Sequence, residues 1–295
     1  MRLLKGIEAI DLALYTDNLL ILSDFHIGYE EALNKQGILL PRFQFKEIIQ
    51  RLEAIFERLK NKPIEKIIIN GDLKHEFGTI SEQEWRHTLK LIDFLGKHCS
   101  EIVLIRGNHD TILGPIAEKR KVKVLEHYFI EAGDRASKER FPIIKKTIGT
   151  NDEKIPEKNS TMKETIGKKA LERLKILKNK NPEKNKKILV IHGDKIPSES
   201  LLKEAKAIII GHEHPAVSIQ DGPRTELFKC FLAGKYKGKS LIAMPSFNLV
   251  TEGTDIMKER LLSPLLKQNL KDFRVFAVAD RVYGFGKVKE LIKDA

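Results

Sequence analysis

Residues 208–215 read IIIGHEHP: three isoleucines run into a glycine, and two histidines then flank a glutamate. A short β-branched apolar run bounded by glycine is a buried-strand signal. Gly211 lets the backbone turn there or approach another group closely. If extended geometry continues past it, His212 and His214 point the same way, because side chains alternate along a strand. Pro215 removes a ladder donor and is expected to end regular pairing. The motif thus places two imidazoles at the C-terminal edge of a strand, where open α/β sheets bind ligands. One His-x-His alone is most simply a pair of surface loop histidines. Its recurrence changes that reading.

The same design appears four more times. LLILSDFHIG (19–28) ends in Asp24 and His26, and KIIINGDLKH (66–75) ends in Asp72 with His75 nearby. EIVLIRGNHD (101–110) ends in Arg106, Asn108, His109 and Asp110, and KILVIHGD (187–194) ends in His192. Core histidines would not line up with strand termini in this way. Between these runs the periodicity changes to helical. Residues 43–60 place Phe45, Ile48, Ile49, Leu52, Ile55, Phe56 and Leu59 on one face, and 81–98 open on Ser81-x-x-Glu84, a capping box. Residues 122–133 read as strand and turn, 198–206 as a short helix, and 229–247 and 273–291 as strands joined by glycine-containing turns. The chain is α/β early and β-rich late.

Residues 134–187 break the pattern. They hold 17 Lys and Arg against 8 Asp and Glu, so this segment carries +9 of a formal net charge of +12. Within it, Thr161-x-x-Glu164 opens an amphipathic helix carrying Met162, Ile166, Ala170, Leu174 and Leu177 on one face, and its Lys/Asn-rich flanks read as linker or disorder. The expected organisation is a catalytic domain formed by 1–133 and 188–295, interrupted by a basic insertion at 134–187. Cys99 and Cys230 lie far apart without metal-site spacing. Glu8 and Asp11 interrupt the N-terminal stretch where a signal peptide needs an apolar core, and no run approaches the length of a membrane span. A cytoplasmic protein with no membrane association is expected.

Neutral imidazoles with carboxylates and no thiolate suit Mn, Fe, Ni or Zn. The donors are too many for one tetrahedral ion. Two divalent ions sharing a carboxylate account for the number, and a pair of ions about 3.5–4 Å apart suits in-line displacement at phosphorus.

Asp-x-His, Gly-Asp, Gly-Asn-His-Asp, His and Gly-His-x-His, in this order over residues 24–214, resemble the calcineurin-like metallophosphoesterase superfamily. SDFHIGYEEALNKQGILLPR (23–42), GDLKHEFG (71–78), GHEHPAV (211–217) and KCFLAGKYKGKSLIAMPSFN (229–248) are similar to the ICC-like branch, which includes bacterial DNA-ligase-associated phosphoesterases. The resemblance implies a four-layer α/β/β/α sandwich of two mixed β-sheets. It implies one metal on Asp24, His26, Asp72 and His214, and a second on Asp72, Asn108, His192 and His212, with Asp72 bridging and Mn²⁺ the first choice. His109 would be a proton donor or phosphate ligand, oriented by Asp110. Arg106 suits a phosphate clamp or, equally, a surface ion pair. His75 departs from the commoner pattern, which often has an acidic residue near that point; it is a candidate substrate contact or a structural residue. Ser246, Phe247 and Asn248 are candidates to face the site, though such residues are mostly turn formers.

The substrate implied is a phosphate ester. Nucleic acid, in a repair setting, would be attracted by the basic insertion. Against this, Phe141 is the sole aromatic residue there for base stacking. The alternatives are a small-molecule phosphatase or cyclic-nucleotide phosphodiesterase, and an inactive scaffold of the same fold. The full ligand set argues against the last.

Overall fold

In the computed structural model, residues 1–78, 80–131 and 187–291 are described. The first sheet begins with three short antiparallel strands, β1 (Arg2–Leu4), β2 (Ile7–Ile10) and β3 (Ala13–Thr16), and continues through β4 (Leu19–Leu22), β5 (Lys66–Asn70), β6 (Glu101–Ile105) and β7 (Lys123–Leu125). The last four are mutually parallel, in register Leu22↔Ile69 and Asn70↔Ile105. The second sheet is built on β8 (Tyr128–Ile130), β9 (Lys187–Ile191), β10 (Ala205–Ile210), β11 (Pro215–Asp221), β12 (Arg224–Tyr236), β13 (Lys239–Ala243), β14 (Thr254–Asp255), β15 (Arg274–Val278) and β16 (Val282–Lys287). Here β9, β10 and β13 are parallel neighbours. Both sheets are mixed.

Alternation along the second sheet separates its two faces. Ile188, Val190, Ala207, Ile209, Phe231, Ala233 and Ile242 join the same buried cluster as Leu20, Ile21, Ile68 and Leu104 of the first sheet. Their neighbours Leu189, Ile191, Ile208, Ile210, Cys230, Leu232 and Leu241 point the other way, onto Leu202, Leu265, Leu266, Leu270 and Phe273. A period of two therefore builds a sheet-on-sheet core on one side and an outer layer on the other.

Helices α1 (Tyr29–Lys35), α2 (Gln44–Arg58), α3 (Glu82–Leu95) and α4 (Gly114–Arg120) accompany the first sheet. α2 buries Ile48, Leu52, Ile55 and Phe56, and α3 buries Leu89, Ile92 and Leu95, at the spacing read from sequence. The predicted capping box on Ser81 and Glu84 is present. Over the second sheet the outer layer is thinner, made of α5 (Glu199–Glu204), α6 (Val288–Leu291) and the irregular chain around Leu265–Phe273. The order of layers is α/β/β/α. No helix among the described residues is long and apolar enough to cross a membrane.

Three expectations change. Where the sequence reads as strand and turn over 122–133, the described part holds two strands, β7 and β8, which belong to different sheets. Pro215 does not end pairing but opens β11 opposite Thr254 of β14, and proline is tolerated there as the first residue of a strand. β10 stops at Ile210, so His212 and His214 do not continue a strand. Residues 134–186 of the insertion, including Phe141, the helix opening on Thr161 and Glu164 with Met162, Ile166, Ala170, Leu174 and Leu177, and the flanking linkers, lie outside the described residues, whereas Lys187 opens β9.

Candidate metal centre

Six parallel strand ends converge on one edge: β4, β5 and β6 from the first sheet, and β9, β10 and β13 from the second. Backbone bonds then tie the loops together. His26 N–H donates to Asp72 O at 2.9 Å, Gly211 N–H to His192 O at 2.8 Å, and Phe247 N–H to Ser23 O at 2.8 Å. The last of these joins the two sheets.

Among the described residues three groups of side chains are able to hold a metal ion: Asp24–His26–Asp72–His214, Asp72–His192–His212, and an all-histidine group, His26–His75–His109, that shares His26 with the first. In the first, His26 Nε2 lies 3.3 Å from His214 Nε2 and 3.6 Å from Asp72 Oδ2, and His214 Nε2 lies 3.4 Å from Asp24 Oδ1. In the second, His192 Nε2 lies 3.4 Å from the same Asp72 Oδ2, 3.2 Å from His212 Nδ1 and 2.9 Å from Asn108 Oδ1. One carboxylate oxygen thus faces both groups. Imidazole nitrogens aimed at each other, with carboxylates that add acceptors and no donors, leave lone pairs directed at common points. A cation satisfies such a donor set, so these residues fit a pair of divalent ions.

The backbone is bent to achieve this. Asp24, His26, Asp72, His212 and His214 all take left-handed φ, from 43° to 63°. Asp and His enter this region more readily than most residues, but each such position costs roughly 1–3 kcal/mol and persists where surrounding structure over-determines it. Two glycines explain part of the motif. A Cβ on Gly107 would lie 2.1 Å from Asp72 Oδ1, and one on Gly211 would lie 2.4 Å from Asp24 Oδ2. Only glycine allows those chains to lie against the two carboxylates.

The electrostatics of these side chains are polarised. Burial opposes charge on Asp24, but His214 and His192 outweigh it and hold the carboxyl below its usual range. Asp72 is likewise held low against burial, by His192 and His26. His192 is raised to about 9, again against burial, by Asp72 and Asp24. Burial and the neighbouring imidazoles push His26 well below 6.5 and His212 to about 4, which keeps both in the neutral, ligating form.

His109 lies beside these groups. Its N–H donates to Asp72 Oδ1 at 2.9 Å, and its Nδ1 lies 2.5 Å from the His75 carbonyl. A carbonyl only accepts, so Nδ1 carries the proton and Nε2 is left for chemistry. Asp110 does not orient His109. Its carboxylate accepts Gly107 N–H at 3.0 Å and Leu73 N–H at 3.1 Å, holding the backbone of both loops, and burial with Asp72 nearby raises it to about 7. His75 Nδ1 faces His26 Nδ1 at 3.4 Å, on the ring edge away from Asp72. Arg106 is half exposed and pairs with Glu126 at 3.3 Å; it lines a cleft of about 170 Å³ that also holds Asn108, His192 and Lys195.

Several supporting residues have little signal in sequence. Glu213, between the two histidines, accepts the N–H groups of Leu262 and Ser263 and so anchors the outer layer. Lys74, fully buried, donates from Nζ to the carbonyls of His109 and Glu76. Glu84 does more than cap α3: its Oε1 also accepts the N–H of His75 at 3.0 Å and of Glu76 at 2.8 Å. Ser246 and Asn248 brace the site rather than face it. Asn248 N–H donates to Asp24 O at 3.0 Å, and Ser246 Oγ accepts from Lys229 Nζ at 3.0 Å.

Lys229 also binds the carbonyls of Thr251 and Glu252, and burial pulls its ammonium from 10.5 down to about 8 against the pull of Glu252. Below pH 8 the buried charge is fully formed and its cost fully present. Between pH 8 and 10.5 the unfolded chain holds the proton more tightly, so stability rises with pH. Urea unfolding at pH 7.5 and 10.5 should show wild type gaining on Lys229→Met by about 3 kcal/mol over that interval. A constant difference would show that the amine titrates normally in the fold.

Residues 18–216 match the family model for the calcineurin-like phosphoesterase. No curated protein matches the sequence. Among solved structures, the chain is similar to the nuclease MPE of Pseudomonas putida, with 17% identity, 93% of this chain and 92% of that chain covered, and a TM-score of 0.49. It is similar to zinc-complexed Vps29 of Entamoeba histolytica, with 15% identity, 89% and 86% covered, and a TM-score of 0.32. It is also similar to phosphopantetheinyl hydrolase of Mycobacterium tuberculosis, with 16% identity, 77% and 89% covered, and a TM-score of 0.30. With the family model spanning most of the sequence and the metal-fit groups inside it, the chain belongs to the calcineurin-like phosphoesterases and is a metal-dependent phosphoester hydrolase.

Proposed function

We propose that the protein hydrolyses phosphodiester bonds of nucleic acid with two divalent ions, Mn²⁺ foremost. One ion is assigned to Asp24, His26, Asp72 and His214, the other to Asp72, Asn108, His192 and His212. The observation that carries the two-ion assignment is the shared Asp72 Oδ2, 3.6 Å from His26 Nε2 and 3.4 Å from His192 Nε2. Ions bound there would polarise a phosphoryl oxygen and acidify a water. The chain's own contribution is positional. Asp72 Oδ1 accepts His109 N–H, and its other oxygen would be left to hold the ions, so the proton donor is tied to the same carboxylate. With Nδ1–H committed to the His75 carbonyl, His109 in its imidazolium form would deliver the proton on Nε2 to the leaving oxygen and be left as the neutral Nδ1–H tautomer. His75 supports the ring of His26 from its far edge. Arg106, which lines the cleft beside Asn108 and His192, would exchange its ion pair with Glu126 for a phosphate of the substrate.

Nucleic acid is favoured by the likeness to ligase-associated phosphoesterases and by the charge of residues 134–187, here taken as an insertion in a catalytic domain of 1–133 and 188–295. The decisive assay sets a generic phosphodiester beside a phosphomonoester, with Mn²⁺ and then with Fe²⁺, Ni²⁺ or Zn²⁺. Diester cleavage is expected; cleavage of the monoester alone would move the reading to a small-molecule phosphatase. Deleting 134–187 should weaken oligonucleotide binding and flatten its salt dependence, by roughly 0.7 in the log–log slope for each single-strand phosphate no longer neutralised. An unchanged slope would remove the insertion from substrate binding.

A further inference from the structure

Phe77 is more than half exposed, and Phe43 is the other such aromatic residue among the described residues. Single exposed apolar side chains are ordinary. The position of Phe77 is not. Its ring centroid lies 3.8 Å from that of His109, at 33°, so one face rests on the proton donor and the rest of the ring is open. The loop beneath it is pinned from several sides. Glu84 accepts the N–H groups of His75 and Glu76, Lys74 donates to Glu76 O, and Gly78 N–H donates to Thr111 Oγ1 at 3.2 Å. None of these bonds is needed to bury Phe77. They hold an apolar ring out in water at the edge of the metal centre, already ordered, so that a ligand binding to it bears little further ordering cost.

We propose that Phe77 is a stacking surface for an unpaired nucleobase, which directs the site to single-stranded ends or nucleotides. This rests on the phosphodiesterase reading above. His109 is assigned to the leaving oxygen, so the nucleoside carrying that oxygen lies within reach of a ring in contact with His109. Every base has a π-face and stacks on an aromatic side chain with little regard to sequence, whereas a base inside a duplex has both faces occupied. The site therefore discriminates by strandedness and by the presence of a base, not by base identity.

The test is a binding measurement on the Mn²⁺-loaded full chain, by calorimetry. The ligands are inorganic phosphate and the hydrolysis-resistant phosphonate analogues of adenosine monophosphate and ribose 5-phosphate. Wild type should bind the adenosine compound roughly 5- to 100-fold more tightly than the base-free one. Phe77→Leu, which keeps an apolar group against His109 without a π-face, should abolish that preference, and Phe77→Trp should retain it. Phosphate affinity should be equal in all three proteins. A preference that is absent in wild type, or that survives in Phe77→Leu, overturns the proposal. So does a loss of phosphate affinity in Phe77→Leu, which would mean that Phe77 acts only by propping His109. Base preference without diester cleavage would sink the phosphodiesterase reading and leave the stacking surface standing; cleavage without base preference would do the reverse.

Discussion

Asp72→Ala is expected to abolish metal-dependent hydrolysis and to lower bound metal from two ions to one or none. Asp72 Oδ2 faces both histidine groups, so its removal damages two coordination spheres at once. It also removes the acceptor for His109 N–H and the main support that raises His192 to about 9. The loss in turnover should be on the order of 10³-fold or more, the scale seen when one preorganised electrostatic element is removed from an active site. Metal analysis of the purified variant, beside diester hydrolysis, checks both halves. Two ions still bound in the variant would mean that the groups do not share a ligand.

His109→Ala is expected to leave the metal content unchanged and to cost roughly 10²- to 10⁴-fold in turnover, the usual contribution of a positioned proton donor. The bonds that tie this residue to the centre are largely backbone. His109 N–H to Asp72 and His109 O to Lys74 survive the substitution. Only the ring disappears, and with it the hydrogen bond to the His75 carbonyl. A leaving group of low pKa needs little protonation, so the defect should shrink for an ester with such a leaving group. A variant that loses metal together with activity would instead make His109 a ligand.

Much of this site is legible in the sequence. Side-chain chemistry and the period of apolar residues are local properties. They are enough to identify five strand ends bearing Asp24, His26, Asp72, Asn108, His192, His212 and His214, the helices α2 and α3, and the capping box on Ser81. What the sequence hides has one common cause. Glu213 looks like filler in GHEHP, and Glu84 looks like a cap and nothing more, because their other partners lie 49 or 50 residues away for Glu213 and 8 or 9 for Glu84. Asp110 invites pairing with its neighbour in sequence, His109, although its carboxylate turns back to the backbone of Leu73 and Gly107.

The order and identity of the donors, the metal chemistry they suit and the alternation of strands with helices were determined by the sequence itself, since each follows from residue type and spacing; the four-layer sandwich was implied by the family resemblance. Which donors face one another was decided by tertiary structure. Two parallel strand sets had to bring their C-terminal ends to one edge, and left-handed turns had to send His212 to one group and His214 to the other. The loop of Phe77 and His75 likewise had to be pinned against His109. Those outcomes depend on sheet register and loop-to-loop bonds between distant parts of the chain, and no local window of sequence contains them.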